Sequence, residues 1–260
     1  MGKQLMKLIF NADDFGLTEQ VNLAIQKAMA FGVVRSTTIM MNQPGTAHAI
    51  ELYKEGQIPE VGLHLTLTSG KPISDPKLIP ELVDSNGYFL TRKELAAKPN
   101  IPSEQIMREF VAQYQLAVES GLKINHIDSH HFAAIYPVLK RTFISFANEV
   151  ALPVRRADVI CEGQQDLKVP FPDAFDIGFY DEGVNIEWLK RRLLMHKTNK
   201  QLESVEFMCH PGYKQDKTLE TLSSYVSSRE KELEILTSIE LEKWLCDNDI
   251  HPVGFNHLTK

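Results

Sequence analysis

The chain has 260 residues, 43% hydrophobic and 24% charged, an ordinary globular composition with room for one large domain or two small ones. A formal net charge of −6 argues against a nucleic-acid partner, which would call for a basic surface. No run of about 18 apolar residues is present to span a membrane. Lys7 interrupts the apolar part of the N-terminus, so no secretion signal is read there and a cytoplasmic location is expected. Cys161, Cys209 and Cys246 are spaced too widely for a disulfide framework or a thiolate zinc site and read as buried thiols.

Strand and helix patterns alternate along the chain. Lys7–Asn11 predicts a short buried strand. Thr18 caps a helix with Val21, Ala24, Ile25, Ala28 and Met29 on one face, ending at Gly32. Thr37–Met41 predicts the next strand and Ala47–Lys54 a helix. Val61–Leu67 alternates, with His64 and Thr66 opposite the leucines. Residues 70–100 carry no clear period and read as an insertion able to act as a lid. A helix from Ser103 to Gly121 precedes a strand over Ile124–His130, which puts His126, Asp128 and His130 on one face. Pro137 opens a helix through Val150, and short strands are predicted at Val154–Ala157 and Ile177–Tyr180. Asn185 caps a helix bearing Trp188, Leu189 and Leu193. Ser204–His210 predicts a strand, Thr237 and Glu240 a capping box for the last helix, and Pro252–Phe255 a closing strand.

Seven or eight strands alternating with helices predict an α/β fold with a parallel sheet. The length favours a (β/α) barrel, irregular or incomplete forms included, as a single catalytic domain over residues 1–260. No glycine-rich phosphate loop follows any strand, which disfavours an open nucleotide-binding sheet.

Asn11-Ala12-Asp13-Asp14-Phe15-Gly16 follows the apolar run Leu8-Ile9-Phe10. Two carboxylates at the exit of a buried strand must be paired, neutralised or bound to a metal. The alternative is a pair of helix-capping residues. Histidines at other strand ends decide between them: His64, the cluster His126, Asp128, His130 and His131, and His210 before Pro211. A parallel barrel gathers these ends on one face. One Asp and two His make a facial set for a divalent metal with open positions left for chemistry. His48, His196, His251 and His257 show no partner pattern and read as structural. Adjacent strand residues point to opposite faces, so Asp13 and Asp14 serve one site only where the backbone turns, which Gly16 permits.

Asn11-Ala12-Asp13-Asp14-Phe15-Gly16-Leu17, Ser36-Thr37-Thr38, Gly62-Leu63-His64, His126-Ile127-Asp128-Ser129-His130-His131 and Met208-Cys209-His210-Pro211 together resemble the ordered motifs of the YdjC-type carbohydrate deacetylases. The resemblance covers most of the chain. It implies a barrel-like fold and metal-dependent removal of an N-acetyl group from an amino sugar in a short, chitooligosaccharide-like substrate. It further implies Asp14, His64 and His130 as ligands of a divalent metal, magnesium in this family, with zinc or another transition ion left open. Asp13 would then be the general base and His210 the general acid or oxyanion partner. The expected partner is a small soluble N-acetylated sugar, with homodimerisation left open. One departure is Phe132-Ala133-Ala134 where the family continues with a His-rich run, which implies a different outer wall.

Two rival readings remain at this point. One is a metal-dependent phosphoesterase or sugar isomerase, for which Lys71, Arg155 and Arg156 are the candidate phosphate contacts. The other is a catalytically inactive sugar-binding protein on the same scaffold.

Overall fold

The computed structural model describes residues 5–156 and 166–259. Cys161 and Ala157 lie outside the described residues. The chain begins with β1 (Met6–Phe15) and α1 (Glu19–Phe31), then β2 (Ser36–Ile39), α2 (Thr46–Lys54) and β3 (Val61–Leu65). After a long connection come α3 (Arg92–Ala97), α4 (Ser103–Glu119), β4 (Ile124–Ser129) and α5 (Pro137–Val150). The second half holds β5 (Ala174–Asp176), α6 (Ile186–Thr198), β6 (Ser204–Cys209), α7 (Lys217–Leu222), α8 (Ser227–Leu236), α9 (Ile239–Asp247) and β7 (Ile250–Pro252).

The strands form one parallel sheet in the order β4-β3-β2-β1-β6-β5, with β7 paired to the start of β1. The sheet is a barrel-like α/β arrangement, open and incomplete. β1 is its centre: it pairs β6 over Lys7–Ala12 and β2 from Asn11 onward. It is buried on both faces, as a parallel strand covered by helices must be, with Leu8, Phe10 and Ala12 fully enclosed. α1 follows the expected pattern. The Thr18 hydroxyl accepts from the Val21 N–H, the stripe Val21–Ala24–Ile25–Ala28 is buried, and Gly32 donates its N–H to the Ala28 carbonyl. Among the described residues no helix is long and apolar enough to cross a membrane.

The segment 70–100 lacks a periodic pattern because it is held by bonds to its backbone. The Asn42 amide donates to the Ser69 and Lys71 carbonyls at 2.9 Å each. The buried Glu109 carboxylate accepts from the Ile73 and Ser74 N–H groups. Ile79, Leu82 and Leu95 join the core, and the Thr91–Glu94 capping box starts α3.

Several boundaries differ from expectation. Ile177–Tyr180 is a loop, and the strand sits earlier, at Ala174–Asp176, where its backbone meets β6. Val154 makes a single bridge to Ile127. The last helix is capped by Ser238, which accepts from Leu241 N–H, because the Thr237 hydroxyl is turned back onto the Leu233 carbonyl to close α8. The closing strand ends at Pro252. Cys209 is a buried thiol, but Cys246 is exposed.

Candidate functional site

The adjacent carboxylates Asp13 and Asp14 reach one cavity because β1 carries a bulge. Its register to β2 shifts between Ala12 and Phe15, and Asp14 takes the left-handed conformation at φ 68°. Aspartate is among the few non-glycine residues that tolerate it. The Thr37 hydroxyl braces the bulge by donating to the Ala12 carbonyl at 2.6 Å. Gly16, at φ 94°, completes the bend against the Met40 carbonyl, where a Cβ would come within 2.7 Å. The sequence reading placed the turn after the strand at Gly16; it begins two residues earlier, inside the strand.

Each carboxylate has its own buried arginine. Asp14 Oδ2 accepts from Arg229 at 2.6 Å. Its Oδ1 faces His64 Nε2 at 3.5 Å and His130 Nδ1 at 3.1 Å, with no further partner among the described residues. Donor atoms of Asp14, His64 and His130 all lie within 4.8 Å of one another. Burial alone would raise the Asp14 carboxyl, but the Arg229 charge and the two imidazoles hold it well below the usual carboxylate range.

A second cluster, Asp13, His64 and Asp128, has comparable spacing, but Arg155 fills it. The guanidinium grips Asp13 with two bonds of 2.6 Å, reaches Asp128 at 3.0 Å, and donates through Nε to Glu206 at 2.7 Å. Burial would raise Asp13, yet the Arg155 charge and bonds, helped by His64 and His210, bring it to about 2. Glu206 is pushed up to about 7 by burial, against the pull of Arg155. Arg155 is therefore committed inside the site and is not available as the phosphate contact the sequence suggested.

Asp128 also holds His64. Its Oδ1 lies 2.6 Å from His64 Nδ1, and Oδ2 accepts from the Thr38 hydroxyl at 3.1 Å. Burial opposes charge on His64, but Asp128 and the two β1 carboxylates raise it to about 10.

His210 follows β6 and enters the cavity from the other side. Its Nε2 is 3.8 Å from Asp13 Oδ2, and its buried Nδ1 has no hydrogen-bond partner among the described residues. Burial pulls its ring down to about 4. The His210 N–H donates to Glu232, which also accepts from the Tyr225 hydroxyl, both at 2.5 Å. Burial pushes Glu232 up to about 8. Arg229 and Glu232, three apart on α8, share a helix face and both turn inward.

The remaining β4 histidines play other parts. His126 is fully buried, stacked on Phe255 at 3.7 Å and bonded to Asn125 and Asn11. It does not line the cavity. His131 lines the cavity beside His130, with Nδ1 against the Thr68 hydroxyl at 3.0 Å. Burial and the neighbouring His130 pull it down to about 3. Phe132 lines the same cavity and meets Phe175 edge-on at 5.9 Å. His196 pairs with Asp176 at 2.8 Å, in line with a structural role. The cavity measures about 260 Å³ and receives all five predicted site residues or their neighbours: Asp13, Asp14, His64, His130 and His210 line it directly.

Arg229, Glu206, Glu232 and the assigned parts of Asp128 and Arg155 escaped sequence reasoning. Glu206 carried a signal, a charge between Val205 and Phe207 in an apolar strand. Arg229 and Glu232 carried none, because α8 is charged on every face.

The family model described as YdjC-like protein matches residues 7–247. A carbohydrate deacetylase of Vibrio cholerae serotype O1 is 38% identical over 97% of this chain and 96% of its own length. Carbohydrate deacetylase 1 of Listeria innocua is also 38% identical, over 97% of this chain and all of its own. A crystal structure from Enterococcus faecalis V583, provisionally assigned to cellobiose-phosphate cleavage, superposes with a TM-score of 0.90 at 33% identity, covering 98% of this chain and 99% of that one. Motif order, sheet and family match agree, and the chain belongs to the YdjC-like family.

Proposed function

We propose that this chain is a single-domain, divalent-metal-dependent hydrolase that removes the N-acetyl group from an amino sugar in a short, chitooligosaccharide-like substrate and releases acetate. The carbohydrate deacetylases among its relatives support the reaction class. The observation that carries the metal is Asp14 Oδ1, a buried oxygen without a hydrogen-bond partner among the described residues, aimed between two imidazole nitrogens. Asp14, His64 and His130 would hold the ion. Family resemblance favours magnesium, while two imidazoles also suit zinc or another transition ion. When bound, the ion supplies Lewis acidity toward water and the acetyl carbonyl.

The chain's own groups handle the proton. Asp13, kept ionised by Arg155, takes a proton from the attacking water. His210, close to Asp13 and neutral in the free protein, receives that proton from Asp13 and relays it to the departing amine, so both groups return to their starting states. The C–O bond forms first as the carbonyl π pair moves onto oxygen, and the C–N bond breaks when the carbonyl re-forms and the amine is protonated, leaving acetate and a free amino sugar. The segment 70–100 contributes Arg92 to the cavity lining and would act as its cover. A cytoplasmic location would restrict the enzyme to soluble sugars.

Protein purified without chelator should contain a divalent ion and release acetate from N,N′-diacetylchitobiose once loaded with magnesium or zinc. No acetate from any soluble N-acetyl sugar, with turnover of a phosphate ester or an aldose instead, would overturn this reading.

A further inference from the structure

The loop after β5 leaves two large apolar side chains in the open. Ile177 is 43% and Tyr180 39% exposed, and both line the cavity. The Tyr180 ring stacks on Tyr225 at 4.0 Å, 14° from parallel. Tyr225 is itself fixed, its hydroxyl bonded to Glu232 and accepting from the Asp181 N–H. One face of Tyr180 is thus covered by an anchored ring, and its exposure belongs to the other face and the edge.

The loop is also stiff. Gly178 donates its N–H to Asp176, and Trp188 packs where a Cβ of Gly178 would sit. The Gly183 N–H bonds the Tyr180 carbonyl, and a Cβ at Gly183 would overlap the Gly178 carbonyl oxygen. An exposed aromatic ring held this way has paid its ordering entropy before any ligand arrives.

We propose that the free face of Tyr180 is the platform for the pyranose ring that carries the reacting amide. This rests on the deacetylase reading and adds to it a specificity-determining residue. A pyranose has an apolar face of C–H bonds, which the electron-rich face of a tyrosine attracts, and a polar rim, which suits the carboxylate and imidazole side of this cavity. The position selects which ring stacks. Tyr180 meets His210 edge-on at 5.5 Å between ring centres, so a sugar on Tyr180 lies beside the group assigned to the leaving amine. The amide nitrogen is one bond from its ring, which leaves no space for an intervening sugar unit.

The test compares wild type with Tyr180→Ala, Tyr180→Leu and Tyr180→Phe, all metal-loaded, on N,N′-diacetylchitobiose. Loss of the ring in the Ala and Leu variants should raise KM about tenfold, the scale of one aromatic contact, with a much smaller fall in kcat, while Phe stays near wild type. Two ringless variants guard against one that misfolds. Saturation-transfer NMR of the same sugar should show wild-type contact concentrated on H1, H3 and H5 of one ring face, lost with the aromatic ring. A KM within about twofold of wild type in both ringless variants, with acetate still released, overturns the platform and leaves the deacetylase reading intact. If wild type releases no acetate, that reading fails instead, and the NMR pattern alone decides the platform: its loss in the ringless variants supports it, and no binding or an unchanged pattern overturns it.

Discussion

Asp128 Oδ1 and His64 Nδ1 lie 2.6 Å apart, so a buried carboxylate fixes the imidazole whose other nitrogen faces Asp14. An outer carboxylate of this kind sets ring orientation and raises the basicity of the nitrogen offered to a metal.

His64→Ala and His130→Ala should each lower bound divalent metal and activity together. Asp128→Asn should weaken metal binding less, by about 10–100-fold. Metal titration with elemental analysis reads all three. Unchanged metal content in both histidine variants would remove them from the ligand set.

Asp13→Asn should keep its metal and lose turnover by about 10²-fold or more, the contribution of a general base. Because Arg155 holds Asp13 at about 2, the base is ionised across the neutral range, and no acid limb of the rate profile near pH 4–5 should vanish in this variant. Near-normal kcat in a fully metallated protein would exclude the assignment.

His210→Ala should reduce kcat more than it changes KM. In wild type the ring is neutral above about 4, so its proton comes from within the site and kcat should not fall as pH rises through 6–7. A KM change alone would make His210 a binding residue.

Glu232 makes stability depend on pH. Its carboxyl goes from an ordinary 4.5 unfolded to about 8 folded, so the native state binds the extra proton between those values. Stability from this group is complete below 4.5 and is lost as pH rises toward 8, with a limiting slope of about 1.4 kcal/mol per pH unit. Glu232→Gln should therefore flatten the decline over that window relative to wild type. Urea unfolding at fixed metal and several pH values measures the difference between the two.

Much of this was legible in sequence because parallel strands announce themselves as apolar runs and place their last residues on one face. Asp13, Asp14, His64, His130 and His210 were readable on that basis and do meet in one cavity. The bulge at Asp14 was not, since register slips depend on the partner strand and on Thr37 rather than on β1 alone. The two buried arginines were hidden for another reason. Arg155 lies in a short, irregular stretch and Arg229 on a helix that reads as solvent-facing, so neither sat in a pattern that predicts burial. Ile177–Tyr180, four apolar or small residues in a row, read as a strand; Ile177 and Tyr180 instead line the cavity, while Phe179 is buried in the core.

Gly178 and Gly183 do not line the cavity, yet their close approach helps fix the loop that carries Tyr180. A single methyl group added at position 183 would overlap the Gly178 carbonyl oxygen, so the loop that carries Tyr180 would have to move. The stance of this part of the wall is thus set from behind, by two residues that do not line the cavity.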